Sequence, residues 1–129
     1  MSRLRIFLVE DNPLIRENLI EIFAEWFSSE LVGWAATEAE AVDWLKTHPE
    51  QWNLAVVDLF LRQGNGLTIL KALQDRLPHQ KIVVLSNYAT EDIRRRCAQL
   101  GADAAFDKSA ELEEFRDFAL QNIASLPCD

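Results

Sequence analysis

Leu54-Ala55-Val56-Val57-Asp58-Leu59-Phe60 is the stretch that decides the fold. Its apolar residues run without alternation and stop at an aspartate, the pattern of a strand buried on both faces of a sheet. Similar short runs lie at 6–9, 82–85 and 104–106, and a more mixed one, containing Leu31, Gly33 and Trp34, lies at 31–36. The mixed run reads as a sheet edge.

Longer segments of helical periodicity separate these runs. Ile15, Leu19, Ile22, Phe23 and Trp26 share one face of a first helix, with Asn12 as N-cap and Pro13 at its first position. Thr37 followed by Glu40 is a capping-box pattern that opens a second, ending before His48-Pro49. Leu70, Leu73 and Leu77 predict a third helix, stopped by Pro78. Thr90, Glu91 and Asp92 open a fourth through Ile93, Cys97 and Leu100, closing at Gly101. Ser109 is expected to open a fifth, with Leu112, Phe115, Ala119 and Ile123 inward. Strand and helix alternate throughout, so the fold class is α/β, a (βα)5 chain with a doubly wound parallel five-stranded sheet.

At 129 residues this is expected to be one domain over 1–129, and a composition of 49% hydrophobic and 26% charged residues excludes disorder. The net charge of −8 argues against direct binding of nucleic acid. Cys97 and Cys128 form no metal or redox spacing and read as unpaired thiols, while the apolar run before Glu10 is too short for a leader or a membrane span. A cytoplasmic location is expected. Trp26, Trp34, Trp44 and Trp52 are assigned to core or partly buried packing, and His48 and His79, beside prolines in loops, to no catalytic role.

In an open parallel sheet, ligands bind beyond the carboxyl ends of the strands. There the first run stops at Glu10-Asp11, the third at Asp58 and the fourth at Ser86, while the fifth runs into Lys108. Converging carboxylates repel one another unless a cation or a shared proton offsets them. Mg²⁺, which prefers hard oxygen ligands and is commonly held by one or two carboxylates with phosphate oxygens, suits the set. Asp58 is placed as a nucleophile, with Lys108 and Ser86 as partners for phosphoryl oxygens.

With Phe7-Leu8-Val9-Glu10-Asp11-Asn12, Val56-Val57-Asp58-Leu59 with Gly66 eight residues on, Val83-Val84-Leu85-Ser86, and Gly101-Ala102-Asp103 leading to Lys108, the chain resembles the response-regulator receiver family over about 4–123, leaving a short tail at 124–129. The resemblance implies a flavodoxin-like sheet of strand order 2-1-3-4-5, an order taken from a chemotaxis member of the family. It further implies that Asp58 is the phosphoacceptor, that Asp11 binds Mg²⁺ directly and Glu10 directly or through water, and that the Phe60 backbone carbonyl is a further ligand. Ser86 and Lys108 would contact the phosphoryl group.

The implied donor is a sensor histidine kinase or histidine phosphotransfer protein of a bacterial two-component system. The implied output is a switched protein-interaction surface on the fourth helix, fifth strand and fifth helix, toward a downstream protein or as a homodimer. Such a phosphoprotein is not an enzyme beyond promoting its own phosphorylation and dephosphorylation, and stands either alone or as an excised piece of a longer regulator. Arg94-Arg95-Arg96 puts a basic cluster on that surface. Phe60 and Tyr88, two residues beyond Asp58 and Ser86, are expected to shield the acyl phosphate from water.

The chain departs from the family pattern at three places. Ala105 stands where an aromatic switch residue is usual; Phe106, one place later, should face the other side and join the core. Ser109 follows Lys108 where a proline with a cis bond is frequent, so a trans bond or a strained loop is expected. Arg62 stands where a proline is frequent, which makes the loop at 62–66 more flexible. Rival readings are a receiver-like interaction module working without phosphorylation, a Mg²⁺-dependent aspartyl-nucleophile phosphatase and a flavodoxin-like electron carrier. The phosphatase lacks a second aspartate at Phe60, and Glu10-Asp11-Asn12-Pro13 would repel the phosphate that an electron carrier binds after its first strand.

Overall fold

The computed structural model describes residues 3–87 and 89–124. Tyr88, Cys128 and the side chain of Ile123, for which expectations were stated above, lie outside the described residues. The elements alternate as β1 (Leu4–Val9), α1 (Pro13–Trp26), β2 (Ser29–Ala35), α2 (Glu38–Thr47), β3 (Leu54–Asp58), α3 (Gly66–Ala72), β4 (Lys81–Ser86), α4 (Glu91–Gln99), β5 (Ala104–Asp107) and α5 (Leu112–Ala124). All strand pairs are parallel, in the order β2-β1-β3-β4-β5. The expected architecture and edge position of β2 are both found.

Residue alternation along the strands divides the core in two. Phe7, Val9, Ala55, Val57, Ile82 and Val84 face one side with Ala41, Leu45, Ile69, Leu70 and Cys97 of α2, α3 and α4. Leu4, Ile6, Leu8, Leu54, Val56, Val83 and Leu85 face the other with Leu19, Phe23, Phe115 and Ala119 of α1 and α5. Ala105 belongs to the first cluster and Phe106 to the second, where its ring meets Phe115 at 6.3 Å and Phe118 at 6.1 Å. The facing expected of Phe106 is thus observed.

Helix starts follow the sequence signals where side-chain oxygens cap them. Asn12 accepts from the Leu14 and Ile15 amides, Thr37 from Glu40, and Thr90 from Ile93. Three expectations need correction. The third helix ends at Ala72 instead of reaching Leu77, because Arg76 turns back to donate to the Leu73 and Gln80 carbonyls and Leu77 is left 37% exposed. Ser109 does not open the fifth helix, which starts at Leu112; Ser109 lies in a turn wrapped by the Asp107 carboxylate. Trp34 is not core: it is 49% exposed, with the Arg16 guanidinium 3.8 Å from its ring centre.

The loop at 62–66 is tied down by several hydrogen bonds. The Arg62 amide donates to Asp11 Oδ2 (2.7 Å), the Asn65 amide to Glu38 Oε1 (2.8 Å) and the Glu38 amide to the Gln63 carbonyl (3.1 Å). No cis peptide bond occurs among the described residues, so the Lys108–Ser109 bond is trans. Among those residues no helix is long and apolar enough to cross a membrane.

Candidate functional site

The strand register brings the stopping residues to one edge. β1 ends at Val9, and the next amide, Glu10, still pairs with the Ala35 carbonyl at 3.0 Å. Asp58 closes β3 opposite Leu85, and Ser86 closes β4 opposite Asp107. The Lys108 amide then donates to the Ser86 carbonyl at 3.0 Å. Parallel strands of matched register thus carry Glu10, Asp58, Ser86 and Lys108 to a single level.

Carboxylate oxygens of Glu10, Asp11 and Asp58 lie within 4.8 Å of one another. Glu10 is 1% exposed and Asp58 7%, whereas Asp11 is half-buried at the mouth. Lys108 Nζ reaches across, donating to Glu10 Oε1 at 2.5 Å and lying 3.1 Å from Asp58 Oδ2. Buried charges persist only when paired and hydrogen-bonded, and this ammonium supplies the pairing. Burial pushes the Glu10 carboxyl above the usual range; the hydrogen bond and charge of Lys108 oppose that rise, and neighbouring Asp58 adds to it.

Backbone groups fix the remaining oxygens. The Phe60 amide donates to Asp58 Oδ1 (3.2 Å) and the Asn12 amide to Glu10 Oε2 (3.2 Å). Ser86 is buried at the end of β4, and the Phe60 side chain is 54% exposed. The structure therefore brings the side chains of Glu10, Asp11, Asp58 and Lys108 together, with the Phe60 amide on Asp58 and Ser86 at the adjoining end of β4.

Three participants were not anticipated from the sequence. Arg16 donates to the Glu10 carbonyl at 3.1 Å, one helical turn after the carboxylates. Asp107 and Glu111 organise the turn bearing Lys108. The readable signal was Asp107-Lys108-Ser109, since an aspartate before serine favours a side-chain-capped turn.

Gly66 has a steric reason. A Cβ there would fall 2.6 Å from the Asp58 carbonyl oxygen and 2.7 Å from the Leu59 Cα. Gly66→Ala is expected to cost about 1–3 kcal/mol through backbone displacement under Asp58. A thermal melt coinciding with that of the unaltered protein would contradict this.

The model of the response regulator receiver domain matches residues 6–119, nearly the whole chain. The chain belongs to that family. It is a receiver domain of the two-component response-regulator kind, a phosphoacceptor signalling module. The DNA-binding transcriptional activator DevR/DosR of Mycobacterium tuberculosis is 27% identical over 88 residues, covering 68% of this receiver domain and 40% of the relative. This receiver domain spans 40%, 40% and 51% of three curated relatives it matches. The solved signal receiver domain of NarL from M. tuberculosis superposes with a TM-score of 0.82 at 21% identity, covering 98% of this chain and all of that one. The CheX-CheY-BeF3-Mg²⁺ complex from Borrelia burgdorferi gives 0.78 at 21% identity, over 95% of this chain and 87% of that one.

Three carboxylates with a single compensating lysine form a hard-oxygen donor set of the kind Mg²⁺ prefers. The residues present therefore fit a divalent cation.

Proposed function

We propose that Asp58 accepts a phosphoryl group from the phosphohistidine of a sensor histidine kinase or histidine phosphotransfer protein. The supporting observation is the placement of one ammonium, Lys108, against both Glu10 and Asp58 at the edge of a three-carboxylate cluster. An Asp58 oxygen attacks the phosphorus of a phosphohistidine protonated on its second ring nitrogen, the P–N bond breaks as the P–O bond forms, and the imidazole leaves neutral, keeping that proton. Asp11, Glu10, Asp58 and the Phe60 carbonyl would hold Mg²⁺, which supplies charge neutralisation for the transferring group. The likeness to a protein solved with BeF3 and Mg²⁺ is consistent with that ligand set.

After transfer, Lys108 and Ser86 contact the phosphoryl oxygens. The roughly −1.5 to −2 charges added at Asp58 draw these two groups inward and shift the population of the α4-β5-α5 surface, which meets a downstream protein or a second copy. On this reading the chain is one receiver unit and catalyses nothing beyond its own phosphorylation and dephosphorylation.

The test is incubation with Mg²⁺ and acetyl phosphate or phosphoramidate, followed by intact-mass analysis. The expected result is gain of one phosphoryl group, dependent on Mg²⁺, acid-stable, base-labile and absent from Asp58→Asn. No gain with these donors or with a phosphorylated histidine donor, or a gain that survives Asp58→Asn, overturns the reading.

A further inference from the structure

Two residues that ordinarily shape the lysine region of this family are missing here: Ala105 replaces the aromatic and Ser109 replaces the proline. Arg94 of α4 lies across that gap. Its Nε donates to the Ala89 carbonyl at 2.9 Å, its Nη1 to the Ala105 carbonyl at 2.8 Å, and its Nη2 to Glu111 Oε1. One guanidinium thus joins the loop after Ser86, the middle of β5 and the approach to α5. Its planar fork of donors can hold several acceptors at fixed angles, which a lysine cannot do.

Glu111 passes the constraint on. The same Oε1 accepts the Asp107 amide at 3.0 Å, and the Glu111 amide donates to the Asp107 carbonyl at 3.0 Å. Asp107 Oδ1 accepts from the Ser109 amide (2.8 Å), the Ser109 hydroxyl (2.7 Å) and the Ala110 amide (3.1 Å). Lys108 sits between these anchors, its own amide held by the Ser86 carbonyl.

The Ser109 hydroxyl and amide hold the Asp107 carboxyl below its ordinary range, and Arg94 does the same for Glu111. Half-exposed ion pairs contribute little stability, with the Arg94 and Glu111 side chains 36% and 29% exposed. The consequence of this chain of bonds is geometric.

We infer that Arg94, Glu111 and Asp107 are positioning residues for Lys108, replacing a proline-set loop with a hydrogen-bonded turn anchored on α4. The inference rests on the reading of Lys108 as the group that meets the phosphoryl oxygens. It also offers a relay in place of the absent aromatic: displacement of α4 or of the loop at Ala89 pulls, through one side chain, on the turn that carries the ammonium.

The test reads Lys108 directly and needs no phosphorylation. Reductive methylation with formaldehyde, followed site by site by mass spectrometry, is compared among the unaltered protein, Arg94→Met and Glu111→Gln. Lys108 labelling is expected to accelerate about tenfold in both variants as the charge-assisted anchors of its turn are lost, while Lys46, Lys71 and Lys81 keep their rates. An unchanged Lys108 rate, or a rise shared by the other lysines, overturns the inference.

In parallel, the phosphoramidate reaction of Arg94→Met should slow about tenfold to a hundredfold, and Arg94→Met should add nothing to a Lys108→Ala background. Additive losses overturn a role exerted through Lys108. Faster Lys108 labelling in a protein whose Asp58 takes no phosphoryl group would instead sink the acceptor reading and leave the positioning role standing.

Discussion

Replacing Lys108 with alanine is expected to cost the metal-free protein about 3 kcal/mol at neutral pH, because removal of one member of a buried ion pair strands the others. The side chain of Lys108 is 10% exposed, and those of its partners Glu10 and Asp58 are 2% and 9% exposed. The cost depends on pH in a definite direction. Burial already raises the Glu10 carboxyl, and Lys108 supplies the two largest opposing influences. Without them the folded-state pKa climbs further above the unfolded value.

A carboxyl with a raised folded pKa contributes stability below its unfolded pKa and loses it as pH rises through the folded one. The variant should therefore approach the unaltered protein in acid and fall behind it toward alkaline pH. Mg²⁺ should narrow the gap by supplying the missing positive charge. Urea titrations near pH 5 and pH 8, with and without Mg²⁺, measure this, and a pH-independent difference would exclude the pairing role assigned to Lys108.

The second large effect belongs to the core. Phe115 is fully buried on α5 and gathers Phe23 at 5.7 Å, Phe27 at 5.9 Å and Phe106 at 6.3 Å. Truncation to alanine leaves a cavity that three separate elements, α1, β5 and α5, and the junction after α1 cannot close together, so Phe115→Ala should lose about 3–5 kcal/mol. For a domain of this size the melting temperature should fall by about 10–20 °C. A fall of less than about 3 °C would show that the cluster collapses freely around the gap. Phe115 also seats the first turn of α5, its amide bonding the Glu111 carbonyl, so the variant should loosen the turn before it.

The strands were legible because apolar runs ending in Glu10, Asp58 and Ser86 carry two signals at once, burial and an abrupt polar stop. Helix starts were legible where Asn12, Thr37 and Thr90 cap them, since a cap is a local event. Tertiary competition defeated the same logic elsewhere. Leu77 continues the helical spacing of Leu70 and Leu73, yet Arg76 draws on the carbonyl of Leu73 and reaches Gly101 and Asp103, partners that no local window contains.

Ser109 looked like a helix cap but serves Asp107 as a donor. The bond between Arg94 and Glu111, seventeen residues apart, leaves no periodic trace in the sequence. Gly33 has a comparable hidden cause. Strand β2 carries an irregularity where Ile6 pairs with Leu31 and Phe7 with Gly33, and the Trp44 indole occupies the space a Cβ at Gly33 would need, 2.8 Å from its Nε1.

The two central strands and the short edge strand divide the site unequally. β3 is buried along its whole length and β1 nearly so, whereas all four residues of β5 are only half-buried. Amide hydrogen exchange should follow that gradient, with β5 and the start of α5 opening in fluctuations far smaller than global unfolding. Each such opening would carry the ammonium of Lys108 away while Asp58, on β3, and Glu10, next after β1, stay protected. On that gradient the acidic half of the site should be as durable as the domain itself, and the basic half should open with its edge.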